Sequence, residues 1–343
     1  MKAALLAVAL LLLPASGAAQ TAQTAQTAHD LGPDEAAWVD KNLIITLADL
    51  DRYLATVYAR KQEGQAALLQ VLQEAIVRHE AGAAGITASD AEVNEAIKEL
   101  DASARASGGG SLADALTADV GGAELRDAVR LHVLEERLVR AADQLAPDAP
   151  VSAERLQSWL DTHVQEAALQ EAPLDDARAA TWSGGELAKV DVGTRLRAVL
   201  PKDSLTGILT EMIGVQLVRR RAAELDIDLT PAEVTREVLL RDAALKEHAS
   251  GQQVSYTQYV QQLEHRSLAE HIQSDAFTTE VLVRLISERL YTEDKARAFW
   301  EQHRDAYGER GPDWESARLA VWKDIRQIIY KQLFTNSSIV RRY

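Results

Sequence analysis

The chain of 343 residues contains no cysteine, which excludes disulfides, thiolate metal sites and a cysteine nucleophile. Aromatic residues make up only 5% of it, so aliphatic side chains must build most of the core. Basic residues are in deficit, with 37 Lys and Arg against 52 Asp and Glu and a net charge of −15. Because phosphate contacts need a basic surface, this charge argues against a nucleic-acid partner.

The abundant residues are Ala, Leu, Glu, Arg and Gln, a composition that favours helix. Two short stretches have strand character instead. Residues 37–45 have the pattern of a β-hairpin, and Trp182 precedes Gly184-Gly185, which accept the positive φ of a tight hairpin turn. The sequence therefore predicts an all-α fold with short β-hairpins.

The N-terminal residues have the pattern of a secretory signal. Residues 1–19 combine Lys2, an apolar run over 3–13, and small residues that predict cleavage near Ala18 or Ala19. The apolar run is shorter than the roughly 20 residues that span a bilayer, so we expect no stable membrane insertion. The protein is therefore predicted to be exported and periplasmic.

One stretch of the sequence occurs twice. Ser89 and Thr230 each have the character of a helix N-cap. Glu92 and Glu233 follow three residues later, where a carboxylate can reach back to the cap's own N–H. The flanking residues match at the same spacing: Leu68 with Leu209, Leu72 with Ile213, Ile76 with Leu217, Val77 with Val218, Arg78 with Arg219, Ala81 with Ala222, Ile86 with Ile227, and Val93 with Val234. Because amphipathic periodicity alone does not supply shared turn chemistry, these matches indicate a duplicated unit.

The duplication predicts how the chain is organised. The segments are a signal peptide at 1–19, a low-complexity tether at 20–35, unit one at 36–170, a linker at 171–179, unit two at 180–311, and a C-terminal helix and tail at 312–343. The C-terminal helix is apolar at Leu319, Trp322, Ile325, Ile329 and Leu333. This face must be buried, and we expect it to be buried across the two units.

Two later matches extend the repeat. The tripeptide Leu138-Val139-Arg140 matches Leu282-Val283-Arg284. The capped helix that begins after Ser152 matches the one that begins after Thr292, with Trp159 and His163 opposite Phe299 and His303. Each unit is therefore expected to end in a capped helix.

The repeated motifs resemble those of a known family. Unit one carries Arg78, Ala81, Gly85-Ile86-Thr87, Ser89-Asp90-Ala91-Glu92-Val93 and Val151-Ser152-Ala153-Glu154. Unit two carries Arg219, Ala222, Ile227, Thr230-Pro231-Ala232-Glu233-Val234 and Tyr291-Thr292-Glu293-Asp294, with Asp226 in place of the glycine. This pattern is similar to the N-terminal domain of SurA-type periplasmic chaperones, a group that also includes PpiC- and trigger-factor-like proteins. The resemblance covers both units and implies two tandem SurA-N-like helical units with a C-terminal helix.

The resemblance also implies a function. It predicts an exported, ATP-independent holdase-type chaperone that binds unfolded or extended segments of envelope or secreted proteins and needs no cofactor. The family usually pairs this domain with a parvulin-type prolyl isomerase domain, for which the linker leaves no room. Two alternatives remain open: a peptidyl-prolyl cis-trans isomerase of the same family, and a non-catalytic scaffold that binds one folded partner.

Motifs for catalysis or metal binding are incomplete. His79-Glu80 lacks the second histidine of the zincin pattern, because that position holds Ala83. His265 and His271 are six apart, which does not place them on one helical face, and we expect both at the surface. The sequence therefore predicts no catalytic, cofactor-binding or metal-binding residue.

Three aromatic residues are candidates for client binding. Trp159, Phe299 and Trp300 occur in the helices that end the two units, where they can line a groove for exposed apolar segments. The alternative interpretation, which we favour from the sequence, is that they close the core of each unit.

Overall fold

The computed structural model describes residues 31–40, 43–106, 122–147, 149–173, 176–248, 254–308 and 312–343. The predicted signal peptide and most of the tether lie outside these residues. The described residues form fourteen helices and two three-stranded antiparallel sheets, which confirms the predicted all-α fold with short β-hairpins. No helix among them is long and apolar enough to cross a membrane.

The elements follow the chain in two series. Unit one contains β1 (Glu35–Val39), β2 (Leu43–Thr46), α1 (Leu47–Tyr58), α2 (Gln62–Ala83), α3 (Asp90–Ala106), α4 (Gly122–Ala142), α5 (Ala153–Glu166) and β3 (Gln170–Glu171). Unit two contains β4 (Arg178–Trp182), β5 (Gly185–Ala188), α6 (Lys189–Val199), α7 (Lys202–Glu224), α8 (Pro231–His248), α9 (Tyr256–Leu263), α10 (Leu268–Gln273), α11 (Asp275–Leu290) and α12 (Glu293–Gln302). It is followed by α13 (Arg304–Tyr307), α14 (Trp314–Thr335) and β6 (Ile339–Arg341).

The hairpin of each unit is completed by a strand that lies outside that unit. The unit-one hairpin, β1 and β2, is completed by β6 from the end of the chain, and the unit-two hairpin, β4 and β5, is completed by β3. Each hairpin also packs on the long helix of the other unit. Ala37 and Val39 share a core with Leu209 of α7, and Ala180 and Leu187 share one with Leu72 of α2. The units are therefore interlocked rather than placed side by side.

The first helices of the two units cross at the centre of this arrangement. A Cβ at Gly193 of α6 would overlap the backbone of Asp51 in α1, so glycine permits the close approach. Asp51 is 2% exposed and accepts hydrogen bonds from Thr194 Oγ1 at 2.9 Å and Arg197 Nε at 2.7 Å. This bonding raises the pKa of Arg197 and satisfies the buried carboxylate. Asp51 and Gly193 are each the fifth residue of their helix, so equivalent positions of the two helices meet at the crossing.

The turn that precedes each predicted cap has the same geometry in both units. Gly85 and Asp226 both have positive φ, at 66° and 52°. The next residue in each turn donates its N–H to a carbonyl in the last turn of the long helix, at 2.8 Å from Ile86 and 2.9 Å from Ile227. Both turns are therefore Schellman-type caps, and Asp226 adopts the left-handed conformation in spite of its Cβ. The shared geometry of these two turns was not predicted from the sequence.

The two capping boxes differ. Ser89 Oγ accepts the N–H of Glu92, and the Glu92 carboxylate accepts the N–H of Ser89 at 2.8 Å, as predicted. In unit two, Thr230 accepts the N–H of Glu233 at 3.3 Å, but the Glu233 carboxylate turns to Arg284 at 2.7 Å. Only half of the second capping box forms, because a buried guanidinium offers a stronger partner than a backbone N–H.

The partners of the cap carboxylates correct one predicted match. Glu92 pairs with Arg137 and Glu233 pairs with Arg284, so Arg137 occupies the place of Arg284. The sequence match had placed Arg140 there, about one helical turn away. A match made within one helix does not show how many residues separate that helix from the cap, so the predicted register was wrong by three residues.

The prediction that the C-terminal helix is buried across the two units is also corrected. Helix α14 packs on α7, α11 and α12, all in unit two, and only its last turn and β6 reach the core around the unit-one hairpin. The buried face consists of Trp314, Ala317, Val321, Ile325 and Ile329. Leu319, predicted on the buried face, is 77% exposed. The prediction chose the wrong residues at the N-terminal end of the helix, because more than one set of apolar positions there fits a helical period.

By position, α5 corresponds to α14 rather than to α12. Helix α5 packs on α2 and α4 and leads from Glu166 to a strand at Gln170. Helix α14 packs on α7 and α11 and leads, over the same interval, from Thr335 to Ile339. Helix α12, whose sequence matches α5, packs on α14 instead. The exact ends of the two units, predicted at 170 and 311, stay a prediction.

Candidate client-binding surface

The three predicted aromatic residues do not meet in one groove. Trp300 is 6% exposed and lies against Trp314, with ring centroids 6.2 Å apart, inside the unit-two core. Trp159 packs in two clusters, one that α2 shares with the unit-two hairpin and one that α2 shares with α4. Phe299 is half-buried at the edge of the unit-two core. Among these residues, Trp300 fills a core position.

Trp159 and Phe299 share a local geometry. Trp159 stacks on His163 and Phe299 stacks on His303, with centroids 4.0 Å and 4.2 Å apart. In both helices the histidine Nδ1 lies 2.8 Å from the carbonyl oxygen of the aromatic residue. The half-buried aromatic rings are therefore held in place by a histidine of their own helix.

A different surface of unit two combines apolar and charged groups. Arg284 of α11 lies beneath this surface and is 1% exposed. Arg284 donates from Nε to Glu237 at 2.8 Å, from Nη2 to Glu233 at 2.7 Å, and from Nη1 to Glu288 at 3.1 Å. Because a buried guanidinium is costly unless its donors are used, the bonds to Glu233 and Glu237 fix α8 against α11, and Glu288 of α11 itself completes the set. The bond to Arg284 is also the main cause of the lowered pKa of Glu233.

The network continues along α8 to α9 and α10. Arg241 donates to Glu237 at 3.0 Å and to the hydroxyl of Tyr256 at 2.8 Å. That hydroxyl lies 2.8 Å from His271 Nε2, and His271 Nδ1 lies 2.8 Å from Glu264. His271 is 6% exposed, so the expectation that it lies at the surface is wrong. Helices α9 and α10 fold back on α11 and enclose it, which histidine spacing cannot reveal.

Arg326 of α14 borders this network without joining it. Its Nε is buried and has no hydrogen-bond partner among the described residues. Burial lowers the pKa of Arg326. The positive charges of Arg284 and Arg241 lower this pKa further, whereas the negative charges of Glu237 and Glu288 raise it. An arginine stays protonated under such conditions. Both nearby carboxylates are already engaged by Arg284, so the Arg326 guanidinium has capacity for another anion.

Exposed apolar side chains lie on the two helices that carry Glu237 and Arg326. Leu240, three residues after Glu237 on α8, is 48% exposed. On α14, Leu319 is exposed and Trp322 is half-buried, and their spacing from Arg326 puts all three on one side of the helix. Helices α8 and α14 both pack on α11. We name the surface formed by Arg236, Glu237, Leu240, Leu319, Trp322 and Arg326 the α8–α14 seam.

Sequence reasoning missed the seam. The spacing of Leu319, Trp322 and Arg326 was visible, but the two apolar residues were assigned to the buried face of α14. Helix α8 lies about eighty residues earlier in the sequence, and nothing in its pattern indicates that it packs on α11 as α14 does.

The described residues contain no group of three or more His, Asp or Glu side chains placed to hold a metal ion. No family model, no curated protein and no solved structure matches this chain.

Proposed function

We propose that this protein is an exported, ATP-independent holdase-type chaperone that binds unfolded segments of envelope or secreted proteins. The observation that carries the proposal is the α8–α14 seam, where Leu240 and Leu319 are exposed beside a network of arginines and glutamates. An unfolded segment offers both apolar side chains and polar groups, so a surface that mixes the two is suited to it.

Exposed apolar residues extend beyond the seam in unit two. Val199 is 63% exposed, Leu239 64% and Leu263 54%. Single exposed leucines are ordinary, but several on one unit offer alternative weak contacts to an extended chain. The rigid support for such contacts is the interlocked pair of units.

The cellular setting is part of the proposal and rests on the sequence. The pattern of residues 1–19 is that of an export signal, and an exported protein has no ATP pool to use. The net charge of −15 would help to keep a complex with an unfolded client in solution. The resemblance to SurA-type N-terminal domains points to the same activity.

The proposal is tested by aggregation. A denatured outer-membrane protein or a model client is diluted into buffer with and without the purified protein, and light scattering is followed. We expect suppression at near-stoichiometric amounts that ATP does not change. The double variant L240S/L319S should suppress aggregation less, whereas the matched variant L69S, at an exposed leucine of α2, should behave as the parent.

Absence of suppression by the parent protein would reject the holdase function. Isomerisation of a proline peptide, measured in parallel, separates it from the enzymatic alternative. Saturable binding to one folded partner, without any effect on denatured clients, would favour the scaffold.

A further inference from the structure

The α8–α14 seam contains one cation whose capacity is unused. Arg241 and Arg284 are held by carboxylates of the same surface, and Arg236 lies 3.5 Å from Glu288 and 3.7 Å from Glu233. Arg326 alone among the arginines of the seam network has no carboxylate within ion-pairing distance in the described part of the chain. The unbonded Nε donor of Arg326 costs free energy in the folded protein. A ligand that supplied an acceptor to this guanidinium would recover that free energy on binding.

The position of Arg326 decides what kind of acceptor fits. Leu319 and Trp322 precede it by seven and four residues on the same side of α14, and the charges of Glu237 and Arg241 on α8, the helix that also carries the exposed Leu240, act on it. A free inorganic anion would leave these apolar groups in water. A peptide in which a carboxylate is flanked by apolar side chains would cover them and pair with the guanidinium at once.

We propose that the α8–α14 seam selects client segments that carry an Asp or Glu side chain between apolar residues, with the carboxylate bound by Arg326. This inference rests on the proposed chaperone function and names the class of segment it prefers. It also gives a net-negative protein a way to bind acidic segments, which its overall charge would otherwise repel.

The test uses a pair of short labelled peptides with amidated C-termini, identical except for one central Asp or Asn between leucines. Amidation removes the terminal carboxylate as a competing source of charge. We expect the purified protein to bind the Asp peptide about tenfold more tightly than the Asn peptide, as for one charge-assisted hydrogen-bonded pair. Fluorescence anisotropy measures both affinities.

Variants assign the preference to one residue. R326Q should bind both peptides equally, R326K should keep part of the preference for Asp, and K323Q, which removes an exposed cation of the same helix, should keep all of it. Far-ultraviolet circular dichroism and the thermal midpoint of each variant check that it is folded. If R326Q does not fold, R326K and the L319S variant, which should weaken binding of both peptides, decide the matter.

The outcomes separate this inference from the function on which it rests. Equal binding of the two peptides by the parent protein, or an unchanged preference in R326Q, would overturn the role of Arg326 while the chaperone function stands. Failure of the parent to bind either peptide and to suppress aggregation would overturn both.

Discussion

At the scale of single residues, the repeat shows how one motif acquires two uses. Glu92 and Glu233 occupy the same place after their N-caps, yet Glu92 completes a capping box and Glu233 holds a buried arginine. The difference arises in the opposing helix. Arg137 approaches Glu92 at a partly exposed position, whereas Arg284 is enclosed and takes Glu233 away from the cap.

The first prediction concerns the pH dependence contributed by Glu92. Hydrogen bonds from the backbone and hydroxyl of Ser89, together with Arg137, lower the pKa of Glu92 from 4.5 to about 2. Because the folded-state pKa is below the unfolded one, the contribution is complete above about pH 4.5 and is lost as the pH falls toward about 2. We expect E92Q to be less stable than the parent at neutral pH and to approach it in acid. Urea unfolding at several pH values measures the difference.

The matched control is E95Q, on the next turn of the same helix, where the glutamate pairs only with Lys98. An exposed pair of this kind contributes little, so E95Q should differ from the parent by less than about 0.5 kcal/mol. A gap between E92Q and the parent that stayed constant into acid would show that Glu92 acts through packing and not through its charge.

At the scale of elements, α1 and α6 pack closely where they cross. The crossing requires a residue without a side chain at Gly193 and a buried ion pair at Asp51. Helix propensity alone would favour alanine at both helical glycines of unit two that lie away from α14, Gly193 and Gly207. Tertiary packing distinguishes them, because a side chain at Gly193 would overlap the backbone of α1 whereas a side chain at Gly207 would meet no neighbour.

The second prediction contrasts these two glycines. G193A should lower the free energy of unfolding by about 2 kcal/mol or more, because its methyl group would overlap the backbone of Asp51. G207A meets nothing within 4 Å and should raise the free energy by about 0.5 to 1 kcal/mol. Urea denaturation of the two variants checks the sign of each change. Stabilisation by G193A would mean that the two helices do not approach so closely.

At the scale of the whole molecule, the pairing of strands ties the units together. Strand β6, at the end of the chain, pairs with β1 near its beginning, and Asp40 in the unit-one hairpin forms an ion pair with Arg220 of α7. Arg60 at the end of α1 also pairs with Glu270 in α10. Loss of either unit would leave the other unit's hairpin without its partner helix.

The third prediction is that the two units unfold together. Hydrogen exchange, measured as urea increases, should show α2 and α7 losing protection at one midpoint, coincident with the change in tryptophan fluorescence. The variant V340P, which places a proline in β6, should lower that common midpoint for both helices. Loss of α7 at a clearly lower urea concentration than α2 would instead describe two independent domains.

Several features were predictable because they depend on neighbours in the sequence. The hairpins, the long helices and the caps at Ser89 and Thr230 follow from local propensity, periodicity and turn chemistry. The duplicated pattern was visible for the same reason. Of the candidate client-binding residues, Trp300 in the core agrees with the packing interpretation.

The features that failed or were missed all depend on which segments meet in space. Nothing near Val39 or Ala180 states that its hairpin will pack on the long helix of the other unit. The burial of His271 and the seam around Arg326 depend on helices far apart in the chain.

The sequence by itself determined the secondary structure and the repeat, because backbone preference and apolar periodicity act over a few residues. Only the tertiary structure decided the strand pairing, the crossing at Gly193 and the position of Arg326, whose Nε has no hydrogen-bond partner among the described residues. The physical reason is that burial and ion pairing are properties of contacts, and an amphipathic face specifies that it must be covered without specifying what covers it.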